Sequence, residues 1–285
     1  MPSVVERLAA ARARLEAAGF QPSEAAFDAE VLARHVLGWD RASLLGRGRD
    51  PEPDDFHRAF DRLVSRRAAR EPVAQIIGIR EFWGLDFEVT PDVLTPRPET
   101  ELIVEETLAF ARRQSCRHVV DVGTGGGCLA VSIARELPGV RVTAVDTSSD
   151  ALAVARRNAA RHAVSDRITF QQGSVLDPVT GLADLIVSNP PYVPDSDAVR
   201  LPVEVERYEP HTALFGGPTG LEIIQRLLTD APDHLADHGA LVVEFGFGQA
   251  AGVARLATET GWRVVRVRND LQGIPRTIVL ARSSA

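Results

Sequence analysis

A glycine-dense loop set directly behind an apolar run constrains this 285-residue chain more than any other feature. Val119-Val120-Asp121-Val122 reads as a buried strand, and Gly123-Thr124-Gly125-Gly126-Gly127 delivers it into a helix beginning near Cys128. Glycine suits such a turn because the backbone must adopt φ/ψ values that side chains resist. It also leaves bare N–H groups for a ligand to approach. The same alternation continues downstream, with strands expected at 118–122, 141–145, 168–171, 185–188 and 240–244 and helical stretches between most of them. That is the pattern of parallel βαβ units. The end differs. Apolar alternation at 262–268 and 276–281 is broken only by a short loop containing Gly273 and Pro275, so these two strands should pair antiparallel.

A mostly parallel sheet that finishes in an antiparallel hairpin is the arrangement of the Rossmann-like class I S-adenosylmethionine-dependent methyltransferases. The expected fold class is therefore α/β of that type, carrying a small N-terminal all-helical domain. Apolar residues recur at three- and four-residue spacing through 4–18, 25–37 and 56–68, punctuated by Gly19, Gly38 and the 46–53 stretch. The expected division is a helical domain at 1–71, a β-hairpin and loop linker at 72–98, and a catalytic domain at 99–285. Within the linker, β-type runs fall at 75–79 and 85–89.

Composition excludes several classes. With 45% hydrophobic and 25% charged residues the chain is neither disordered nor fibrous. No apolar run reaches the ~18 residues of a membrane span, and no cleavable leader pattern opens the chain, so a cytoplasmic protein without membrane contact is expected. Two cysteines, Cys116 and Cys128, and seven histidines without ligand spacing give no metal site. A net charge of −7 argues against binding nucleic acid directly through its phosphates.

The glycine loop has two candidate cofactor classes. Dinucleotide enzymes seat a pyrophosphate on the helix N-terminus and favour Gly-x-Gly-x-x-Gly, whereas this loop reads Asp-x-Gly-x-Gly-x-Gly. Asp121 would repel a pyrophosphate and attract the ammonium of an amino-acid moiety. Asp146 closes the next strand, placed for the two hydroxyls of a ribose. The acids favour S-adenosyl-L-methionine over NAD, and Ser174, after the third strand, is a candidate for the adenine pocket.

The strand at 185–188 ends in Asn189-Pro190-Pro191-Tyr192. Consecutive prolines cannot continue a central strand, so the chain leaves the sheet rigidly here. An amide or aromatic amine nitrogen is a weak nucleophile because its lone pair is delocalised, yet it carries two N–H donors. The Asn189 side-chain oxygen and the Pro190 carbonyl can accept both and orient the nitrogen for methyl transfer, with Tyr192 stacking on the planar group. Asn189 and Pro190 are thus the expected catalytic pair, and the whole tetrapeptide the substrate site.

The tetrapeptide serves nucleic-acid amines and protein amides alike. Its flanks narrow the choice. Arg80-Glu81-Phe82-Trp83-Gly84, Leu94-Thr95-Pro96-Arg97-Pro98-Glu99-Thr100-Glu101, Arg207-Tyr208-Glu209-Pro210 with Ala213-Leu214, and Asp270-Leu271-x-Gly-Ile274-Pro275-Arg276 resemble the release-factor glutamine methyltransferase family over almost the whole chain. The resemblance implies methylation of the glutamine amide in the Gly-Gly-Gln loop of bacterial class I peptide-chain release factors, which would be the partners. It implies cofactor binding by Gly123 to Gly127, Asp146 and Asn189, and a docking role for the helical domain. Leu94 is a candidate wall beside the glutamine, while Arg97 and Glu99 either line the mouth or brace their loop. The alternative reading is a methyltransferase for exocyclic amines of adenine or guanine in nucleic acid.

Overall fold

The computed structural model describes residues 2–282; Met1 and residues 283–285, the outer ends of the expected helical and catalytic domains, lie outside the described residues. The chain divides into two compact units, Met1–Gly78 with Pro202–Tyr208, and Ile79–Leu201 with Glu209–Ala285.

The first unit is helical for local reasons that can be named. Helix Val4–Ala17 starts with a capping box, Ser3 and Glu6 each accepting the other's backbone N–H. Helix Pro22–Leu37 carries proline in its first turn and stops at Gly38 in the left-handed region, φ 63°. Arg41–Arg47, a helix not foreseen between the runs at 25–37 and 56–68, is capped by Asp40. Helix Phe56–Ala68 stacks Phe56 on Phe60, with ring centroids 5.1 Å apart, in a core shared with Val4, Leu15, Phe20, Leu32 and Val64. The run at 75–79, expected as a strand, is instead the short helix Val73–Ile77. Pro72 precedes it and Gly78, at φ 75°, ends it by donating its N–H to the Ala74 carbonyl. Five residues, four of them apolar, closed by a glycine satisfy either state, and here the glycine acts as a helix stop.

A segment distant in sequence completes this unit. Helix Val203–Tyr208 places Glu204 on Arg67 at 3.0 Å, and the Tyr208 carbonyl accepts from Gln75 Nε2 at 2.7 Å. Arg67 also binds Asp28 at 2.6 Å and Glu24 at 2.9 Å, with only 5% of its side chain exposed.

The second unit opens with a tight hairpin, β1 (Ile79–Phe82) and β2 (Leu85–Glu88), turned by Trp83 and Gly84, both at positive φ. The main sheet follows: β3 (His118–Val122), β4 (Arg141–Asp146), β5 (Ile168–Gln172), β6 (Ala183–Ser188), β7 (Leu235–Glu244), β8 (Trp262–Asn269) and β9 (Pro275–Arg282). Their order is β5-β4-β3-β6-β7-β9-β8. All pairs from β5 to β7 are parallel and both pairs of β9 are antiparallel. Side chains alternate between two cores: Val119, Leu185 and Val187 enter one, Val120, Ile186 and Val122 the other. Burial on both faces explains why these strands read as continuous apolar runs.

Strand order reverses between β3 and β6, which pair in register from Val119↔Leu185 to Val122↔Ser188. In open α/β sheets the crevice at such a switch point is where ligands bind. Here it puts Gly123 and Asn189, each one residue past its strand, side by side.

The buried arginine of the helical unit gives a stability test. Arg67→Ala strands the Asp28 carboxylate in a site where it is 5% exposed, and we expect a loss of about 3–5 kcal/mol. Urea denaturation of the full chain measures it; a loss below about 1 kcal/mol would show that solvent reaches the acid freely.

Candidate active site

The cleft at the switch point has a volume of about 330 Å³ and is lined by Leu94, Gly123, Gly125, Asp146, Ser174, Asn189, Pro190 and Pro191 among others. An adjoining recess adds Thr124, Gly126 and Thr100. Most of the residues picked out in the sequence therefore meet on one surface.

The loop earns its glycines individually. Gly123, Gly125 and Gly127 lie at φ 73°, 53° and 82°, an alternation that accounts for the Gly-x-Gly-x-Gly spacing. A Cβ on Gly125 would meet no atom within 4 Å, so that position faces open space in the cleft. Gly127 differs. It is not part of the lining of cleft or recess, and a Cβ there would sit 3.0 Å from the Ala155 Cβ, so packing against helix Ser149–Arg161 requires glycine at this position.

Asp121 is also displaced from its expected place. It is fully buried beneath the loop, where Oδ2 accepts from the Thr124 hydroxyl at 2.6 Å and the Ala130 N–H at 3.1 Å. A strand residue pointing into a core cannot also line the crevice above it. Burial pushes its carboxyl up to about 7, against those two hydrogen bonds, and Oδ1 has no partner. Asp146 does reach the cleft. Its Oδ2 accepts from the Gly125 N–H at 2.8 Å and its Oδ1 from the Ser148 N–H at 2.9 Å. Carboxylate oxygens each accept more than one bond, so Asp146 braces the loop and keeps acceptor capacity for a ligand. Ser174 accepts from Arg226 at 2.8 Å, leaving its own proton to donate.

Asn189 lies at the junction of cleft and recess. Its Nδ2 donates to the Thr100 Oγ at 2.9 Å, Thr100 donates to Glu244 Oε2 at 2.7 Å, and Glu244 Oε1 lies 3.4 Å from the Tyr192 hydroxyl. Tyr192 does not join the cleft wall as the stacking role required. It is half-buried, its hydroxyl turned to Glu244 and its carbonyl held by Gln249 Nε2 at 2.9 Å. Pro191 and Tyr192 pass so close to Gly216 and Gly220 that a side chain at either glycine would strike their carbonyls. Leu94 lines both cleft and recess. Arg97 pairs with buried Glu209 at 2.5 Å, so the brace uses Glu209 as partner instead of Glu99.

Three residues went unassigned in the sequence. Glu244 is 1% exposed, and burial raises its carboxyl to about 7. Its signal was an acid closing the apolar run Leu241-Val242-Val243. Thr100 lies within the Leu94 to Glu101 segment, where its residue type alone signals no role. Asn158 left no sequence signal: fully buried, it donates to the Gly126 carbonyl at 2.9 Å and accepts from the Glu88 N–H at 2.7 Å, tying the glycine loop to the hairpin.

Such a site fits an amino-acid nucleoside. The alternating glycines leave a backbone cradle open, and Asp146 stands at its edge with acceptor capacity to spare. Among the described residues no cluster of His, Cys, Asp or Glu is arranged to hold a metal ion.

Comparison with known proteins agrees with this geometry. Residues 6–78 match the PrmC N-terminal domain and residues 100–203 the methyltransferase small domain. The chain is 43% identical over 255 residues to release factor glutamine methyltransferase of Geobacter sulfurreducens, covering 89% of this chain and 88% of that one. It is 41% identical to the protein of the same name from Nitratidesulfovibrio vulgaris, covering 96% and 93%. A solved structure of ribosomal protein L11 methylase from Lactobacillus delbrueckii subsp. bulgaricus superposes with a TM-score of 0.50 at 22% identity, covering 69% of this chain and 84% of that one, and shares the fold.

The buried acids set a pH test. Asp121 is held protonated in the fold up to about 7, while in the unfolded chain it ionises near 4. Its contribution to stability is complete below the unfolded value and lost as pH rises through the folded one. Asp121→Asn removes that loss, so its stability relative to the parent should improve as pH is raised from about 5 to about 8, followed by urea midpoints. A pH-independent difference would show that Asp121 does not titrate in this window.

By sequence and by site, the chain belongs to the release factor glutamine methyltransferase family, on the class I S-adenosylmethionine-dependent methyltransferase fold.

Proposed function

We propose that this protein methylates the side-chain amide of the glutamine in the Gly-Gly-Gln loop of bacterial class I release factors. The observation that supports this reading most is the Asn189 carboxamide, tethered through Nδ2 to Thr100 beside the glycine loop. Among the described residues no donor reaches its Oδ1, so that acceptor is available to a substrate. Together with the Pro190 carbonyl it can accept both N–H bonds of a primary amide. Two acceptors fixed by a rigid Asn-Pro-Pro turn orient the nitrogen without a strong base. Gly123 to Gly126, Asp146 and Ser174 would hold S-adenosylmethionine, which when bound would supply the electrophilic methyl. The alkylated nitrogen then releases one proton to water.

The acidic chain, at net charge −7, favours a protein substrate over a nucleic-acid amine. Residues 1–71 are proposed to dock the release factor, a role supported by the match of 6–78 to a domain found at the N-terminus of relatives. Residues 72–98 would link it to a catalytic domain from 99 onward. Among the described residues no helix is long and apolar enough to cross a membrane. We place the activity in the cytoplasm, where translation terminates.

Incubation of the purified protein with cofactor and a release factor should add one methyl group to the Gly-Gly-Gln glutamine, read by mass spectrometry of the tryptic peptide. Asn189→Ala should lower the rate at least about 100-fold while cofactor affinity by calorimetry holds. An unmodified release factor beside methylated DNA or RNA would overturn the assignment.

A further inference from the structure

A hydroxyl has one proton, and a carboxylate can only accept. Thr100 is 2% exposed and its Oγ lies 2.7 Å from Glu244 Oε2, so with Glu244 ionised its proton is committed there. What Thr100 then offers Asn189 is a lone pair, which only the Nδ2 end of the carboxamide can use, at 2.9 Å. The opposite end, Oδ1, is thereby turned away from Thr100. Without that constraint the two ends of a carboxamide are nearly equal in shape, and a half-turn would present donors where the substrate amide needs an acceptor.

We propose that Thr100 and Glu244 are positioning residues that set which end of the Asn189 carboxamide faces the substrate, and that Glu244 must be ionised for the acceptor end to do so. The inference rests on the glutamine-amide reading of the site. Protonated Glu244 can donate to Thr100, which frees the Thr100 proton for Oδ1 and stabilises the reversed carboxamide. The groups acting on Glu244 are Glu99, which opposes its ionisation, Arg276 of β9, which favours it, and the Tyr192 hydroxyl; the buried Cys128 thiol lies within its field. Burial outweighs Arg276, so the carboxyl titrates near neutrality and the orientation responds to pH in the working range.

The test combines kinetics with a readout that needs no substrate. Thr100→Val, which keeps the shape and loses the oxygen, should lower kcat on a release factor by about 10- to 100-fold. Cofactor affinity by calorimetry should hold within about 2-fold, and Thr100→Ser should restore kcat to within about 3-fold of the parent. The parent's kcat should fall as pH is lowered below about 7, and Glu244→Gln should flatten that limb. Separately, the Asn189 side-chain amide protons, assigned by ¹⁵N NMR through their loss in Asn189→Ala, should exchange with water at least about 10-fold faster in Thr100→Val. Parent-like kcat and parent-like exchange in Thr100→Val would overturn the positioning role. If the parent leaves the release factor unmethylated, the glutamine reading fails, and the exchange measurement still decides whether Thr100 orients the carboxamide.

Discussion

The parallel pairing of β3 with β6 is the constraint on which the site depends. Val122 stands opposite Ser188, so the residues that follow, a glycine loop on one strand and Asn189 on the other, leave the sheet together at its carboxyl edge. Neither segment is a site by itself. The loop offers backbone groups with no side-chain chemistry, and the tetrapeptide offers acceptors with nothing to react. Their register makes them two walls of one cleft, and the Ser188 hydroxyl, donating to the Val122 carbonyl at 2.8 Å, ties the strand ends across that register.

Behind the cleft lies a layer of buried acids. Asp121 and Glu244 end or nearly end apolar strands, at 0% and 1% exposure, and each receives a threonine hydroxyl. Burying a carboxyl costs stability unless it is protonated or well bonded. In both cases the bonded partner belongs to the site: Thr124 of the glycine loop and Thr100 at the start of helix Glu101–Arg113. Two segments that line the recess beside the cleft are thus anchored to the sheet through charged-capable groups. Hydrogen bonds with that directionality hold atoms in place more tightly than apolar contact does.

Much of this was legible in the sequence because the relevant signals are local. Strands buried on both faces announce themselves as apolar runs, and the expected limits at 118–122 and 262–268 fall within one residue of β3 and β8. Positive φ at alternate positions demands glycine, so the loop was readable too. The misreadings share one cause. The run at 75–79 reads as a strand because so short an apolar-rich stretch suits either conformation, and packing makes 75–77 the end of helix Val73–Ile77. Tyr192 and Asp121 are of types that suit ligand chemistry, yet both side chains turn to protein partners, because the direction of a side chain off a strand or turn depends on the layer beneath it.

The sequence by itself determined the fold class, the glycine loop and the Asn-Pro-Pro-Tyr turn, since each follows from residue type and spacing over a few positions. Tertiary structure alone decided that Thr100, Asn189 and Glu244 form one hydrogen-bonded chain, with 89 and 144 positions separating Thr100 from its two partners. It also decided that Arg97 braces against Glu209 and that Pro202–Tyr208 folds with the N-terminal helices. The physical reason is that a hydrogen bond is specified by two atoms within about 3 Å, and no pattern in one segment records which distant segment will supply the second.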